Sequence, residues 1–462
     1  MERACSFHTN KLFFVHHAWR IIKYFMKHTL IVLLFILIEL PLFAGEVLKF
    51  DFGSGKTMKG YTRVDQKSVY TPEKGFGFDK TDAPKAERYT KDPLLGDACC
   101  SDKAFFFSVK LPEGDYRIKL ILGNAEKSST TYIRAESRRL FFENQRTSAG
   151  EFKTVSFTTN IRNTQINNEE FVKIKPRENG KADWDEKLTL EFNGSAPSVC
   201  ALEIEPINNA ITVFLCGNST VVDQDNEPWC GWGQMIPRFF DDRVSIANYA
   251  ESGESANTFM NAGRLKKLMT KIKPGDYVFI EFGHNDQKQT GPNIGPFTSY
   301  KENLRKYIQQ TREKQAIPVL VTPVNRRSFD ENGQIVNTLK EYPDAVRQLA
   351  SEEKVTLIDL NAMSKVLYEV WGPEKSIKAF VHYPANTFPN QPTPLADNTH
   401  FNAYGGYEIA KCVVHGICTS LPELAVYLRS DVQTFNPANP DPVESFYMPP
   451  SPFVELQKPD GN

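Results

Sequence analysis

From Ile211 onward, apolar runs of strand length alternate with longer amphipathic runs, and this rhythm constrains the fold more than any other feature. The strand-like runs lie at 213–216, 244–249, 277–282, 318–322 and 355–360, with helical stretches such as 299–315 and 344–353 between them. A run that is apolar throughout, rather than at every second residue, suits a strand covered on both faces. Strands separated by helices are joined by crossovers, which makes their sheet parallel. Over 208–430 the chain is therefore expected to be α/β, a parallel sheet with helices on both faces.

The first of these runs also points to chemistry. It reads Ile-Thr-Val-Phe-Leu-Cys-Gly-Asn-Ser-Thr-Val-Val-Asp over 211–223. It is apolar up to Cys216 and polar from Asn218, which puts Ser219 just beyond the carboxyl end of a central strand, where open α/β sheets bind ligands. A serine on a strand-to-helix turn commonly does no more than cap the helix. Three later stretches change that reading. Asn-Tyr-Ala-Glu-Ser-Gly-Glu-Ser at 248–255 sets Gly253 on a loop after the second strand, and Phe-Gly-His-Asn-Asp at 282–286 ends the third. Asp-Asn-Thr-His at 397–400 lies on a loop before the final helix, which Asn402 is placed to cap. All four stretches converge on one rim of the sheet.

Each residue type has a task there. Serine is a weak nucleophile until a neighbouring base takes its proton, and His400 is suited to that role. Asp397, three residues away, can fix the imidazole tautomer and stabilise the imidazolium. A tetrahedral oxyanion needs preorganised donors, and the backbone N–H groups of Ser219 and Gly253 with the Asn285 side-chain amide form a natural set. Gly-x-Ser-x-Gly occurs nowhere in the chain, so an ordinary nucleophile elbow is not available.

Ahead of this region, 46–207 has a different grammar. Period-two runs at 47–52, 104–109, 116–122, 153–157 and 188–192, separated by Gly, Pro, Asp and Asn, indicate an antiparallel β-sandwich. It is suited either to binding sugar through Tyr61, Tyr70, Phe76 and Phe78 or to packing as a lid on its neighbour. Gly-Ser-Gly-Lys-Thr at 53–57 resembles the end of a phosphate-binding loop, but Phe50 replaces its first glycine and no helical pattern follows. Residues 431–462 are proline-rich and read as an extended tail, laid on the surface or disordered.

At the other end, 1–45 reads as an export signal and its upstream segment. Lys27 and His28 precede an apolar run at 30–37 that closes in Pro-Leu-Phe-Ala at 41–44, with Met26 a plausible true start. The seven cysteines beyond it are irregularly spaced and odd in number, so they form neither a disulfide framework nor a zinc site. With 55 basic and 56 acidic residues, the chain offers no bulk charge for nucleic acid or an anionic membrane. A substrate held by hydrogen bonds and stacking fits better.

Gly-Asn-Ser-Thr at 217–220, the Gly253 loop, Gly-His-Asn-Asp at 283–286 and Asp397-x-x-His400 resemble the four blocks of the SGNH (GDSL-type) hydrolases. The strings Gly-Asn-Ser-Thr-Val-Val-Asp and Asn-Thr-His-Phe look most like the rhamnogalacturonan acetylesterase branch. The resemblance implies a flavodoxin-like sheet preceded by a galactose-binding-like β-domain. It implies Ser219 as nucleophile, His400 as base and Asp397 as its partner, with Ser219, Gly253 and Asn285 forming the oxyanion hole. It implies no metal and no cofactor. Asn218 departs from the Asp usual in the first block; it and His284 are candidates for substrate contact. The expected activity is that of a secreted serine esterase removing acetyl groups from plant cell-wall polysaccharide, foremost rhamnogalacturonan. Rival readings are deacetylation of xylan or another glycan, and a non-catalytic sugar-binding protein with a decayed esterase domain, which Asn218 alone favours.

Overall fold

The computed structural model describes residues 45–460. The export signal expected over 1–45 lies outside the described residues except for Gly45. Residues from Val47 onward form one compact unit.

The amino-terminal strands stack as two sheets. In chain order they are β1 (Leu48–Phe52), β2 (Thr62–Val64), β3 (Phe76–Asp79), β4 (Lys85–Arg88), β5 (Asp97–Cys100) and β6 (Phe105–Lys110). Longer strands follow: β7 (Gly114–Gly123), β8 (Ser129–Ala135), β9 (Arg139–Thr147), β10 (Phe152–Ile161), β11 (Lys187–Ser195) and β12 (Ser198–Ile207). One sheet runs β10-β7-β12-β1-β2, with β5 on β12 and β4 on β5; the other runs β3-β6-β11-β8-β9. β7 shows why they stack: Tyr116, Ile118, Leu120 and Leu122 are buried while Arg117, Lys119 and Ile121 turn outward. Of the four aromatics considered for sugar contact, Phe78 belongs to this interior and Phe76 is half-buried against it. Phe78 is buried against Phe52, Phe105 and Phe107, and Phe76 packs 5.1 Å from Phe50. The alternation Phe-Gly-Phe belongs to a strand at the core's edge. Tyr61 donates its hydroxyl proton to Glu203, and Lys187 Nζ lies 4.8 Å from the Tyr70 ring.

The second layer system follows at once. Strands β13 (Ile211–Gly217), β14 (Val244–Asn248), β15 (Tyr277–Glu281), β16 (Ile317–Val321) and β17 (Thr356–Ile358) form one sheet in the order β14-β13-β15-β16-β17. All its pairings are parallel. Read from the first strand, the order is 2-1-3-4-5, that of doubly wound flavodoxin-like sheets. The apolar runs have their cause in two separate cores. Val213 and Leu215 pack with Trp232, Ile409 and Val413 on one face; Phe214 and Cys216 pack with Leu265, Tyr307 and Leu349 on the other. The sites considered for chemistry therefore sit at the carboxyl edge of β13, β14 and β15. All seven cysteines of the described residues are free thiols.

Buried arginines and the carboxyl-terminal tail are among the contacts that join the sandwich to the sheet. The turn between β8 and β9 carries buried Arg138 and Arg139 into the α/β part. Arg139 Nε donates to Asp223 Oδ2 at 2.7 Å and Nη2 to Asp183 Oδ1 at 2.8 Å. Arg138 Nη1 donates to the carbonyls of Gln224 and Trp229 at 3.3 and 3.1 Å. The proline-rich tail is laid along the surface. Its carbonyls at Pro449 and Pro450 accept from Arg134 (2.6 Å) and Asn193 (2.9 Å) on the outer face of the second sheet. Further on, Glu227 N donates to Phe453 O at 2.8 Å and Glu455 N to Glu227 O at 2.9 Å.

Candidate active site

The turn after β13 is wound tightly by its own residues. Asn218 O accepts from the N–H groups of Val221 and Val222 at 3.0 Å each. Asn218 Oδ1 accepts from the N–H of Thr220 at 3.1 Å. A Cβ on Gly217 would lie 2.5 Å from Val221 Cγ2, so only glycine fits the crossing. No helix follows for Ser219 to cap; the next one is Trp232–Met235. Ser219 instead stands in the turn, and its N–H has no acceptor among the described residues. Asn218 has no exposed surface, and its amide nitrogen lacks a partner among the described residues. The side chain thus shapes the turn through its oxygen.

Glu281, at the end of β15, supports this turn from below. It accepts from Thr220 Oγ1 (3.1 Å), Trp232 Nε1 (2.5 Å) and Val324 N (3.2 Å). Burial pushes its carboxyl up to about 7 despite these donors. Nothing in the sequence singled Glu281 out, because a single acid at the end of an apolar run carries no pattern.

The loop bearing Gly253 is tied on several sides. Glu251 N donates to Gly217 O at 3.2 Å, linking it to the end of β13. Asn285 Nδ2 donates to Glu254 O at 2.9 Å, which ties Asn285 to the residue after Gly253. One amide proton of Asn285 serves that bond and the other is left for a ligand. Gly253 has φ +80°, and its N–H has no acceptor among the described residues. Asp286 holds the loops together by accepting from Gly283 N and Ala256 N at 2.9 Å each, and burial raises it to about 6. His284 is buried. Burial first, then the charges of Arg326, His400 and Lys288, hold it well below the usual imidazole range.

Asp397 and His400 meet. The expected loop is in fact strand β19 (Leu395–Phe401), paired with β18 (Phe380–Tyr383). The pairing is bulged: Phe380 faces Phe401, and His382 faces Ala396. The extra residues bend the strand so that side chains three apart can touch, which a regular strand forbids. His400 Nδ1 lies 2.8 Å from Asp397 Oδ2, while Asp397 Oδ1 accepts from the N–H groups of Thr399 (2.7 Å) and His400 (2.9 Å). Burial works to raise the Asp397 carboxyl, but the His400 contact and the two N–H donors outweigh it and hold it well below the usual carboxylate range. The Trp229 ring stands perpendicular to the His400 ring, centroids 5.7 Å apart. Cys230 N donates to Phe401 O at 2.9 Å and Trp232 N to Thr220 O at 2.8 Å, which docks β19 against the Ser219 turn. Lys458 Nζ of the tail lies 3.4 Å from Asp397 Oδ2. Asn402 caps the final helix, Ala403–Ser420, accepting from Gly405 N at 3.1 Å.

Chemically, the rim offers a carboxylate-oriented imidazole, a hydroxyl on a rigid turn, and unengaged N–H donors on two loops. That set suits attack on an ester carbonyl with the oxyanion held in place. Among the described residues, no group of three or more His, Cys, Asp or Glu side chains could hold a metal ion.

Residues 215–406 match the GDSL-like lipase/acylhydrolase family, and residues 48–167 match the beta-agarase/YXIM esterase-like, galactose-binding domain-like family. The chain is similar to the rhamnogalacturonan acetylesterase RhgT of Bacillus subtilis (strain 168), 47% identical over 209 residues, 45% of this chain and 89% of that protein. It is also similar to the uncharacterized esterase YxiM of the same organism, 30% identical over 350 residues, 73% of this chain and 85% of that protein. The crystal structure of the Bacillus subtilis YxiM protein is 26% identical with a TM-score of 0.42, covering 81% of this chain and 98% of that one.

Proposed function

The chain belongs to the GDSL-like lipase/acylhydrolase family and is a carboxylic ester hydrolase, and from that premise we propose that it is an exported serine esterase that removes acetyl groups from rhamnogalacturonan. The observation that carries the serine mechanism is the buried Asp397–His400 pair, bent into contact by the bulge in β19 and docked on the Ser219 turn. The polysaccharide is inferred from the 47% identity to an esterase named for it. Export is inferred from the signal-like pattern of 1–45.

In this reading Ser219 Oγ attacks the acetyl carbonyl carbon as its proton passes to His400. Asp397 holds the imidazole in the required tautomer and offsets the imidazolium charge. The N–H groups of Ser219 and Gly253 and the Asn285 amide receive the oxyanion. The tetrahedral adduct collapses as His400 returns the proton to the departing sugar oxygen, leaving acetyl-Ser219. Water then attacks the acyl-enzyme, giving its proton to His400, and acetate leaves as the hydroxyl of Ser219 is restored.

Hydrolysis of 4-nitrophenyl acetate tests the nucleophile. Ser219→Ala is expected to lower turnover by at least ~1,000-fold in a chain that still folds. Turnover retained in that variant would exclude Ser219. Acetate release from acetylated rhamnogalacturonan, compared with acetylated xylan, tests the polysaccharide, and preference for xylan would redirect the substrate assignment.

A further inference from the structure

The backbone N–H of Gly253 is useful only if it points at the oxyanion, and glycine leaves that orientation undetermined. A peptide flip at 252–253 changes ψ of Ser252 and φ of Gly253, and glycine accepts either sign of φ at little cost. Something outside the loop must choose. Two cations from the segment after the sandwich strand β10 contact the Ser252 carbonyl: Lys175 Nζ at 2.6 Å and Arg177 Nη2 at 2.8 Å. In a trans peptide the C=O and the following N–H point in opposite directions. Pinning Ser252 O toward the sandwich therefore aims Gly253 N–H away from it.

The same cations hold the loop by its charges. Lys175 Nζ is 3.2 Å from Glu254 Oε1, and Arg177 pairs with Glu251. Lys181 Nζ adds a contact to Glu251 Oε2 at 3.6 Å. Burial opposes ionisation of Glu251, but Lys181, Arg177 and Arg264 overcome it and hold the carboxyl well below its usual range. Ionised Glu251 in turn accepts from Ser252 N at 2.8 Å. Both ends of the Ser252 residue are thus fixed from the sandwich side.

We infer that Lys175 and Arg177 are positioning residues for ester hydrolysis: through the Ser252 carbonyl, the sandwich part sets the direction of the Gly253 N–H in the oxyanion hole. This rests on the serine-esterase reading above. It assigns the sandwich part a role in the rate of the chemical step, independent of any sugar it binds.

The test is steady-state hydrolysis of 4-nitrophenyl acetate by the full chain, too small a substrate to reach a distant sugar site. Lys175→Met with Arg177→Gln is expected to lower kcat by roughly 10- to 1,000-fold, the range of a lost oxyanion donor, with KM changed less than about threefold. Lys175→Arg alone, which keeps a cation on the carbonyl, is expected to retain most of the parent kcat. Both side chains are about 30% exposed, at 27% and 30%, so the substitutions leave the core intact. Should the double variant lose its fold, the single variant Lys175→Met supplies the same comparison. A folded variant with parental kcat, or a loss confined to KM, overturns the inference. Parent chain that fails to hydrolyse the ester, or hydrolyses it equally well as Ser219→Ala, would instead overturn the underlying esterase reading.

Discussion

At the scale of single residues, the site depends on which polar atoms are engaged and which are left unengaged. Asp397 spends one oxygen on two backbone N–H groups and the other on His400. In Asp397→Asn the first oxygen can keep its donors, but the second position becomes an NH2 group facing a ring nitrogen. The imidazole is then forced into the wrong tautomer, and kcat is expected to fall by about 10,000-fold with little change in melting temperature. Kinetics and thermal denaturation of the same preparation check this; a kcat within tenfold of the parent would remove Asp397 from the triad. The strings that carry Ser219, Asp397 and His400 were legible in the sequence because each is short and its spacing carries meaning, and the structure joins Asp397 to His400.

At the scale of elements, the carboxyl end of β15 shows how a strand terminus can serve a neighbouring turn. Glu281 is raised to about 7 by burial, so the folded chain binds its proton more tightly than the unfolded chain does. Its contribution to stability is present in full below the ordinary carboxyl range, near pH 4.5, and is lost as pH rises through about 7. Glu281→Gln cannot titrate. Between pH 5 and pH 8 the parent should therefore lose more stability than the variant in denaturant unfolding, and equal losses would contradict the assignment. The strands themselves were readable, since 213–216, 277–282 and 318–322 fall almost where β13, β15 and β16 lie. The strand β19 was not. Its irregular sequence, Leu-Ala-Asp-Asn-Thr-His-Phe, has no period-two pattern because the bulge breaks the alternation that reveals a strand.

For the whole molecule, the sandwich and the sheet act as one body. Arg139 is fully buried between Asp223, which follows β13, and Asp183, which precedes β11. Arg139→Leu would leave two buried carboxylates without their shared cation, at an expected cost of about 3–5 kcal/mol. Calorimetry should show the loss across one cooperative transition; a variant as stable as the parent would mean that the two parts do not depend on this contact. The tail adds a second tie, running from the outer face of the sandwich to Lys458 beside Asp397. By itself the sequence determined the order of strands and helices, the change of grammar near Ile211 and the four strings proposed to carry the chemistry, because each is a local pattern of polarity and spacing. Only the tertiary structure decided that Phe78 is interior, that Glu281 supports the Ser219 turn, and that Lys175 and Arg177 hold the Ser252 carbonyl. Those contacts join residues far apart in the chain, where no period or motif connects them, and they exist only once two differently built layers have packed together.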